Sequence, residues 1–242
     1  RGVENVVDEI EFLIEKYNAK VINIEDDTFT VDSKRVKEIC DEIIKRKIKI
    51  LWQCYSSVNI QDFEMYKKMK EAGCEMVRFG VESASFAAQK HSNKNLSIEK
   101  IERGFALARK AGLKTFGTFT FGLPGETKES IKETIDLAIK LNPYAVQFSY
   151  IVAYPGTVLY EEAKKNNWLI KENQNGFGGC INPAILPDGL KIEELNGVVP
   201  KAYKKFYLRL EYILRQLIEV RNLQDIKRLS SGGISLLRRL EK

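Results

Sequence analysis

Three short motifs hold the side chains and glycines that are best suited to bind a ligand. They are residues 79–83, 121–127 and 154–157, and each ends or follows an apolar run that predicts a β-strand. The carboxylate of Glu82 can accept hydrogen bonds from two hydroxyl groups, and glycines such as Gly122 let the backbone approach a ligand closely. Because the carboxyl ends of parallel strands carry the sites of α/β sheets, the motifs predict a nucleoside-binding rim.

The elements that must position these motifs alternate between helix and strand. Residues 3–17 carry apolar side chains at helical spacing, which predicts an amphipathic helix. Residues 20–24 predict a strand that ends in the acidic run 25–27. Asp32 or Ser33 is expected to cap the helix that follows. The same strand–helix unit is predicted at residues 48–72, 76–111, 114–141 and 145–166.

This alternation determines the predicted fold class and domain organisation. Residues 1–170 are expected to form an α/β domain with a parallel sheet of five strands, fewer than a complete eight-stranded barrel has. Residues 171–190 lack periodicity and are rich in glycine and asparagine, which predicts a loop or a lid. Residues 191–242 predict a basic helical extension, whose apolar face is expected to pack on the sheet domain, a partner subunit or a membrane surface.

The net charge of the chain is concentrated in this extension. The formal charge is +6 at pH 7, and residues 191–242 hold twelve basic and six acidic residues, an excess equal to the whole. Basic helices can bind nucleic acid or anionic lipid, but they can also be a solvated face whose opposite side packs on the domain. We favour the solvated face, so no nucleic-acid partner is expected.

Several functional classes are excluded by what the sequence lacks. No apolar run approaches the length of a membrane span and no signal-peptide pattern opens the chain, so a cytoplasmic protein is expected. The four cysteines are Cys40, Cys54, Cys74 and Cys180. Their spacing matches neither CxxC nor CxxxCxxC, which predicts buried free thiols and no metal site. The single histidine, His91, offers neither a Ser-His-Asp triad nor a metal pair, so no catalytic residue is assigned.

The order of the motifs resembles the radical S-adenosylmethionine superfamily. The resemblance rests on IEDDTFT at 24–30, on Ala-Gly-Cys and FGVES within 72–83, on GLPGET at 122–127 and on YPGT at 154–157. The DDTFT block and residues 201–209 are similar to the branch whose members often carry a cobalamin-binding domain ahead of the radical domain. Together the motifs cover nearly the whole chain.

The resemblance implies a fold and a set of cofactors. The fold is a partial (β/α) TIM-like barrel of six units, of which this sequence lacks the first strand. In the family, a CxxxCxxC loop after that strand holds a 4Fe-4S cluster and leaves one iron for S-adenosylmethionine. The cluster ligands are therefore expected before Arg1, and residues 1–242 are expected to be inactive alone. A cobalamin-binding domain upstream is the partner that this branch of the family implies.

The resemblance also assigns roles to residues at the strand ends. Asp26 and Asp27 correspond to the segment that receives the methionine ammonium group, although they can equally be turn and cap residues. Glu82 corresponds to the residue that contacts the ribose. Ser83 is expected to be an ancillary donor there or a helix cap.

Four further positions complete the implied site. Lys94 corresponds to a basic residue that binds the carboxylate of S-adenosylmethionine in some members, and it can equally be an exposed loop charge. Gln53 can hydrogen-bond the ribose or line the barrel interior. The backbone at Gly122 and Tyr154 is expected to flank the adenine.

These assignments predict the C-terminal portion of a radical S-adenosylmethionine enzyme. With its cluster-binding segment it would generate a 5'-deoxyadenosyl radical, or support cobalamin-linked methyl transfer, on a small-molecule or lipid-like substrate. Two alternatives stay open: a barrel lyase or aldolase without a metal cluster, and a noncatalytic cofactor-binding scaffold. A Schiff-base aldolase needs an interior lysine at a strand end, whereas Lys114 lies at a strand start, which counts against that alternative.

Overall fold

The computed structural model describes residues 1–91, 94, 96–170 and 182–220 of the 242-residue chain. The strands are β1 (Val21–Ile24), β2 (Leu51–Ser56), β3 (Cys74–Glu82), β4 (Lys114–Phe121) and β5 (Ala145–Tyr150). The helices are α1 (Val3–Tyr17), α2 (Ser33–Lys45), α3 (Phe63–Glu71), α4 (Phe86–His91), α5 (Ile98–Lys110), α6 (Lys128–Leu141), α7 (Val158–Lys165), α8 (Ile192–Leu195), α9 (Val198–Tyr207) and α10 (Leu210–Ile218). A 3-10 turn at Phe29–Val31 follows β1.

The sheet has its five strands in chain order, β1-β2-β3-β4-β5. Strand β1 pairs parallel to β2, with Val21 opposite Leu51, and β2 pairs parallel to β3, with Tyr55 opposite Arg78. Sequential order is typical of (β/α) barrels, because a doubly wound sheet reverses its order at a switch point. The predicted fold class, an α/β fold of the partial TIM-like barrel kind, is therefore confirmed.

Strand β2 shows how the sheet separates two kinds of surface. Trp52, Cys54 and Ser56 are buried, whereas Gln53 and Tyr55 between them are only half-buried. This alternation follows from the two-residue period of a strand. One face therefore joins the hydrophobic core, and the other face presents polar groups.

The described residues form two compact units. The first comprises Arg1–Val81, Leu96–Thr118 and Leu141–Gln147, and the second comprises the described residues of Glu82–Asn95, Phe119–Lys140 and Phe148–Lys242. Each unit has its own buried aromatic residues: Trp52, Tyr66, Phe79 and Phe105 in the first, and Phe119, Phe121, Phe148 and Phe206 in the second. In the part of the chain that the structure describes, no helix is long and apolar enough to cross a bilayer.

Two tyrosines attach the region of α8 and α9 to strand β5 within the second unit. The Tyr203 hydroxyl accepts a hydrogen bond from the backbone N–H of Phe148 at 3.1 Å and donates to the carbonyl of the same residue at 3.3 Å. The Tyr150 hydroxyl donates to the Leu195 carbonyl at 2.7 Å and accepts from the Val199 N–H at 3.3 Å. Side chains thus satisfy backbone groups of β5 and of the segment that joins α8 to α9.

The predicted C-terminal helical face is divided by a break between α9 and α10. Ala202 and Phe206 of α9 are buried, whereas Leu210 and Leu217 of α10 are exposed. Arg209 has an extended backbone, and its guanidinium donates to the carbonyls of Phe206 at 2.9 Å and Ile139 at 3.1 Å. The remainder of the predicted extension (221–242), most of the predicted loop (171–181) and Cys180 lie outside the described residues. The predicted boundaries at 170 and 190 stay a prediction.

Gly73 gives a stability test for the first unit. Its φ is +91°, and a Cβ there would overlap the backbone carbonyl oxygen of Ile50, so Gly73→Ala combines left-handed strain with a steric clash. We expect Gly73→Ala to lower the free energy of unfolding by at least about 3 kcal/mol in urea denaturation.

Gly112 provides the matched control for this substitution. Gly112 also follows a helix, and its own φ is positive, at +82°. The nearest atoms to an added Cβ, however, belong to the flexible Lys70 side chain at 3.7 Å. Gly112→Ala should therefore cost only about 1 kcal/mol. Equal losses in the two variants would show that the contact with Ile50 is not decisive.

Candidate functional site

Glu82, the last residue of β3, adopts a backbone conformation that favours glycine. Its φ is +66°, in the left-handed region where a side chain brings strain. One carboxylate oxygen accepts a hydrogen bond from Lys94 Nζ at 2.6 Å, and the other accepts from Thr120 Oγ1 at 2.7 Å. A carboxylate has about four lone-pair sites, so each oxygen keeps capacity for one further donor. The side chain can therefore accept two hydroxyl hydrogen bonds without losing its present partners.

Ser83 follows directly, and its side chain faces the interior of the second unit. The residue is fully buried, and its hydroxyl donates to Glu126 Oε1 at 2.7 Å. The same hydroxyl lies 3.2 Å from Thr134 Oγ1, which accepts from the Ala84 N–H at 2.9 Å. The N-terminal hydrogen bond of α4 is accepted by Ser85, from the Ala88 N–H at 3.3 Å. The Ser83 hydroxyl therefore stabilises the end of β3 through contacts in the interior of the second unit.

Glu126 joins Ser83 to the loop that follows β4. Its Oε2 accepts hydrogen bonds from the backbone N–H groups of Gly122 at 2.8 Å and Leu123 at 3.1 Å. Burial raises the pKa of Glu126 to about 7, although the hydrogen bonds from Ser83, Gly122 and Leu123 act in the opposite direction. A single carboxyl group thus fixes both the end of β3 and the glycine loop.

Asp26 and Asp27 follow β1 in the first unit and are exposed. Helix α2 is capped by Asp32, whose side chain accepts from the Arg35 N–H at 3.0 Å, so the predicted cap at Asp32 is confirmed. No hydrogen bond or ion pair of Asp26 or Asp27 with another described residue is present. Both carboxylates are thus accessible to a ligand.

Gln53 lies in the middle of β2, on the half-buried face of the sheet. Its Nε2 donates to Asn23 Oδ1 of β1, and its Oε1 is buried without a partner among the described residues. Tyr55 is two residues further along the same face, opposite Arg78 of β3. These groups form a polar layer in the first unit.

Gly122 and Tyr154 are the two positions whose backbone is predicted to contact the adenine. Gly122 directly follows β4 with a φ of +82°, and an added Cβ would meet only side-chain carbons at 3.6 Å or more. The glycine is therefore required by conformation rather than by space. Tyr154 follows β5, is 45% exposed, and its carbonyl accepts from the Thr157 hydroxyl at 2.7 Å.

The cysteines that the structure describes do not suit an iron–sulfur cluster. Cys40, Cys54 and Cys74 are buried free thiols, as predicted. Burial raises the pKa of Cys40 to about 12 and that of Cys74 well above its ordinary value, whereas cluster ligands are thiolates. Among the described residues no group of three or more His, Cys, Asp or Glu side chains could hold a metal ion. These residues therefore offer no place for the 4Fe-4S cluster.

The structure brings together four of the eight predicted site residues within the second unit. Glu82 and Lys94 form an ion pair, and Ser83 and Gly122 are connected through Glu126. The sequence-based prediction missed Glu126, and it also missed Thr120. The available signal was the single acidic residue in the loop 122–127, which otherwise consists of glycine, leucine, proline and threonine.

In (β/α) folds the carboxyl ends of the strands carry the binding site, and the acidic and glycine-bearing positions described above lie at such ends. Residues 1–138 match the Radical SAM superfamily. The chain belongs to this superfamily, which confirms the resemblance.

Individual relatives are similar over most of this chain. An uncharacterized methyltransferase of Pyrococcus horikoshii is 35% identical over 90% of this chain and 47% of its own length. An anaerobic magnesium-protoporphyrin IX monomethyl ester cyclase of Rubrivivax gelatinosus is 27% identical over 88% of this chain and 38% of its own length. The chain thus spans less than half the length of these relatives.

A solved structure shows the same fold at low sequence identity. The cobalamin-dependent S-adenosylmethionine radical enzyme OxsB matches 98% of this chain and 41% of its own chain, with a TM-score of 0.65 and 16% identity. The fold of the chain is thus that of a radical S-adenosylmethionine enzyme.

The raised pKa of Glu126 predicts a pH dependence of stability. Because the folded state holds this proton up to about pH 7 and the unfolded chain releases it near the ordinary value of 4.5, stability falls as pH rises between these values. We expect the free energy of unfolding of the wild type, minus that of Glu126→Gln, to fall by about 1–3 kcal/mol from pH 4.5 to pH 8.

Urea denaturation at half-unit pH intervals measures this difference. Glu129→Gln is the matched control, because Glu129 is exposed in the first turn of α6. A difference that stays constant over the range would show that the three donors keep Glu126 ionised in the folded protein.

Proposed function

We propose that this chain is the S-adenosylmethionine-binding portion of a radical S-adenosylmethionine enzyme. The observation that carries the proposal is the carboxylate of Glu82, held at a strand end with one free acceptor position on each oxygen. A ribose diol offers two donors at this spacing, and a charge-assisted hydrogen bond is among the stronger polar contacts. Membership of the superfamily supports this assignment over a cluster-free lyase or a scaffold.

The other site residues have proposed roles in holding the same molecule. The exposed carboxylates of Asp26 and Asp27 accept hydrogen bonds from the methionine ammonium group, which has only donors. Lys94 binds the methionine carboxylate while its ammonium group keeps the ion pair with Glu82. Gln53 faces the ribose or lines the interior.

Backbone groups complete the proposed site. The left-handed conformation at Gly122, held by Glu126, and the segment at Tyr154 present backbone to the adenine. Ser83 is proposed to act through Glu126, because its hydroxyl already donates to that side chain.

S-adenosylmethionine, when bound, supplies either a methyl group or a 5'-deoxyadenosyl group. The contribution of this chain is to bind and orient the molecule and to exclude water from it. The cluster ligands are proposed to come from another part of the complete protein, because the described cysteines do not suit that role. Residues 171–190 are proposed to form a loop or lid and residues 191–242 a basic extension of the domain formed by residues 1–170.

The relatives suggest a reaction for the complete protein. One is named a methyltransferase, one acts on a magnesium-protoporphyrin ester, and the structural neighbour is cobalamin-dependent. We therefore propose cobalamin-linked methyl transfer, or a radical reaction started by 5'-deoxyadenosyl, on an organic small molecule or lipid-like substrate. The complete protein is proposed to work in the cytoplasm.

Binding of 5'-deoxyadenosine tests the role of Glu82. We expect Glu82→Gln to weaken binding to this chain by at least about tenfold in calorimetric titration, because the ribose loses a charged acceptor. The exposed Glu129→Gln variant should bind like the wild type.

An analogue that lacks both ribose hydroxyls identifies the group that is contacted. It should bind the wild type and Glu82→Gln with equal affinity. A Glu82→Gln effect of the same size with this analogue would place the contact elsewhere and refute the ribose assignment.

The full-length protein tests the proposed chemistry. After anaerobic reconstitution with iron and sulfide, we expect visible iron–sulfur absorption and release of 5'-deoxyadenosine from S-adenosylmethionine when a reductant is added. The same protein without added iron and sulfide is the control. A full-length sequence without CxxxCxxC, together with no release, would contradict the proposal.

A further inference from the structure

Arg78 of β3 lies between two aromatic rings on the half-buried face of the sheet. Its guanidinium carbon is 5.3 Å from the centroid of the Tyr55 ring and 5.5 Å from that of Phe116. Nη1 donates a hydrogen bond to Tyr55 Oη at 3.2 Å. The guanidinium, which has five N–H donors in a rigid fork, is therefore flanked by two aromatic rings.

Among the described residues, no carboxylate balances the charge of Arg78. Across the described part of the chain, no Asp or Glu lies within ion-pair distance of it, and its Nε is buried without a hydrogen-bond partner. Lys114 shows the contrast within the same unit, since it pairs with Glu75 at 2.9 Å. A half-buried guanidinium without a counter-ion is unfavourable, so this arrangement is suited to an anion supplied from outside.

The neighbours of Arg78 add a donor and an acceptor to the same face. Tyr55 accepts from Arg78, so the Tyr55 hydroxyl proton is available to a ligand. Two residues earlier on β2, Gln53 has its Oε1 buried and without a partner among the described residues, while its Nε2 is engaged with Asn23. The face thus offers a guanidinium, a phenolic donor and one amide acceptor.

The charge and shape of this cluster favour a carboxylate. A carboxylate is planar, carries one negative charge and matches the guanidinium fork with two parallel hydrogen bonds. A phosphate monoester carries up to two charges, and the cluster supplies a single cation to oppose them. The Gln53 oxygen can in addition accept a hydrogen bond from an N–H or O–H group of the ligand.

We propose that Arg78 and Tyr55 bind the carboxylate of a small organic substrate, with Gln53 accepting a hydrogen bond from the same molecule. The proposal names the substrate class for the function proposed above and rests on that function for its place in catalysis. The residues of the carboxylate site all belong to the first unit.

Benzoate, benzamide and phenyl phosphate are matched probes for this site. We expect this chain to bind benzoate at least about tenfold more tightly than the isosteric neutral benzamide in ligand-observed NMR titration, and phenyl phosphate no more tightly than benzoate. Arg78→Gln should abolish the preference for benzoate. Arg78→Lys should keep part of it, and Tyr55→Phe should weaken benzoate binding about threefold.

The unfolding midpoint and 5'-deoxyadenosine binding separate the outcomes. Arg78→Gln should leave both unchanged, whereas a merely structural role for the guanidinium predicts a lower midpoint and an equal loss for benzoate and benzamide. Equal affinity of the wild type for the two probes overturns the proposal even if a variant does not fold. Tighter binding of phenyl phosphate than benzoate also overturns the carboxylate assignment.

The two proposals can fail separately. If 5'-deoxyadenosine binds but benzoate shows no dependence on Arg78, the substrate class is wrong and the proposed function stands. If benzoate binds as expected but 5'-deoxyadenosine does not bind, the proposed function fails and the carboxylate site remains.

Discussion

The two-residue period of a β-strand is the constraint on which the candidate sites depend. In β3 it sends Val77, Phe79 and Val81 into the core and leaves Arg78 on the other side of the strand, whereas the left-handed φ of Glu82 ends this alternation. Side chains of the helices pack against the core-facing side, as Tyr66 and Phe105 do against Phe79. Polar groups on the second face have to be solvated, paired or bound by a ligand. The candidate residues Gln53, Tyr55 and Arg78 therefore lie on the face that the core does not use.

The buried carboxyl group of Glu126 supplies hydrogen-bond acceptors to the loop that follows β4. The loop after β4 turns through left-handed glycines, which leaves backbone N–H groups without strand partners. Glu126 accepts two of them and also the Ser83 hydroxyl, so one side chain replaces several backbone contacts. The cost is desolvation of an acidic group, which appears as its raised pKa. Such a group fixes loop geometry more tightly than an apolar residue could.

Local periodicity predicted the helices well but could not place the polar contacts. Helix α1 has the predicted bounds, and α5 ends one residue before the predicted end of its strand–helix unit at 111, because their apolar spacing is unambiguous. Strand β2 lies about three residues later than predicted, since its second half alternates buried residues with the polar Gln53 and Tyr55. The position of Arg78 between Tyr55 and Phe116 depends on the register of neighbouring strands, and the role of Glu126 depends on burial. Neither the strand register nor the burial can be predicted from the sequence near these residues.

The Tyr203 hydroxyl has a consequence for how the protein behaves at high concentration. Strand β5 is the last strand in the order of the sheet, and the N–H and carbonyl of Phe148 are both bound to this hydroxyl. A side chain on that edge occupies positions to which a strand from another molecule could otherwise pair. Helix α9 therefore contributes to the core and also, through Tyr203, blocks the pairing of another strand with β5 at Phe148.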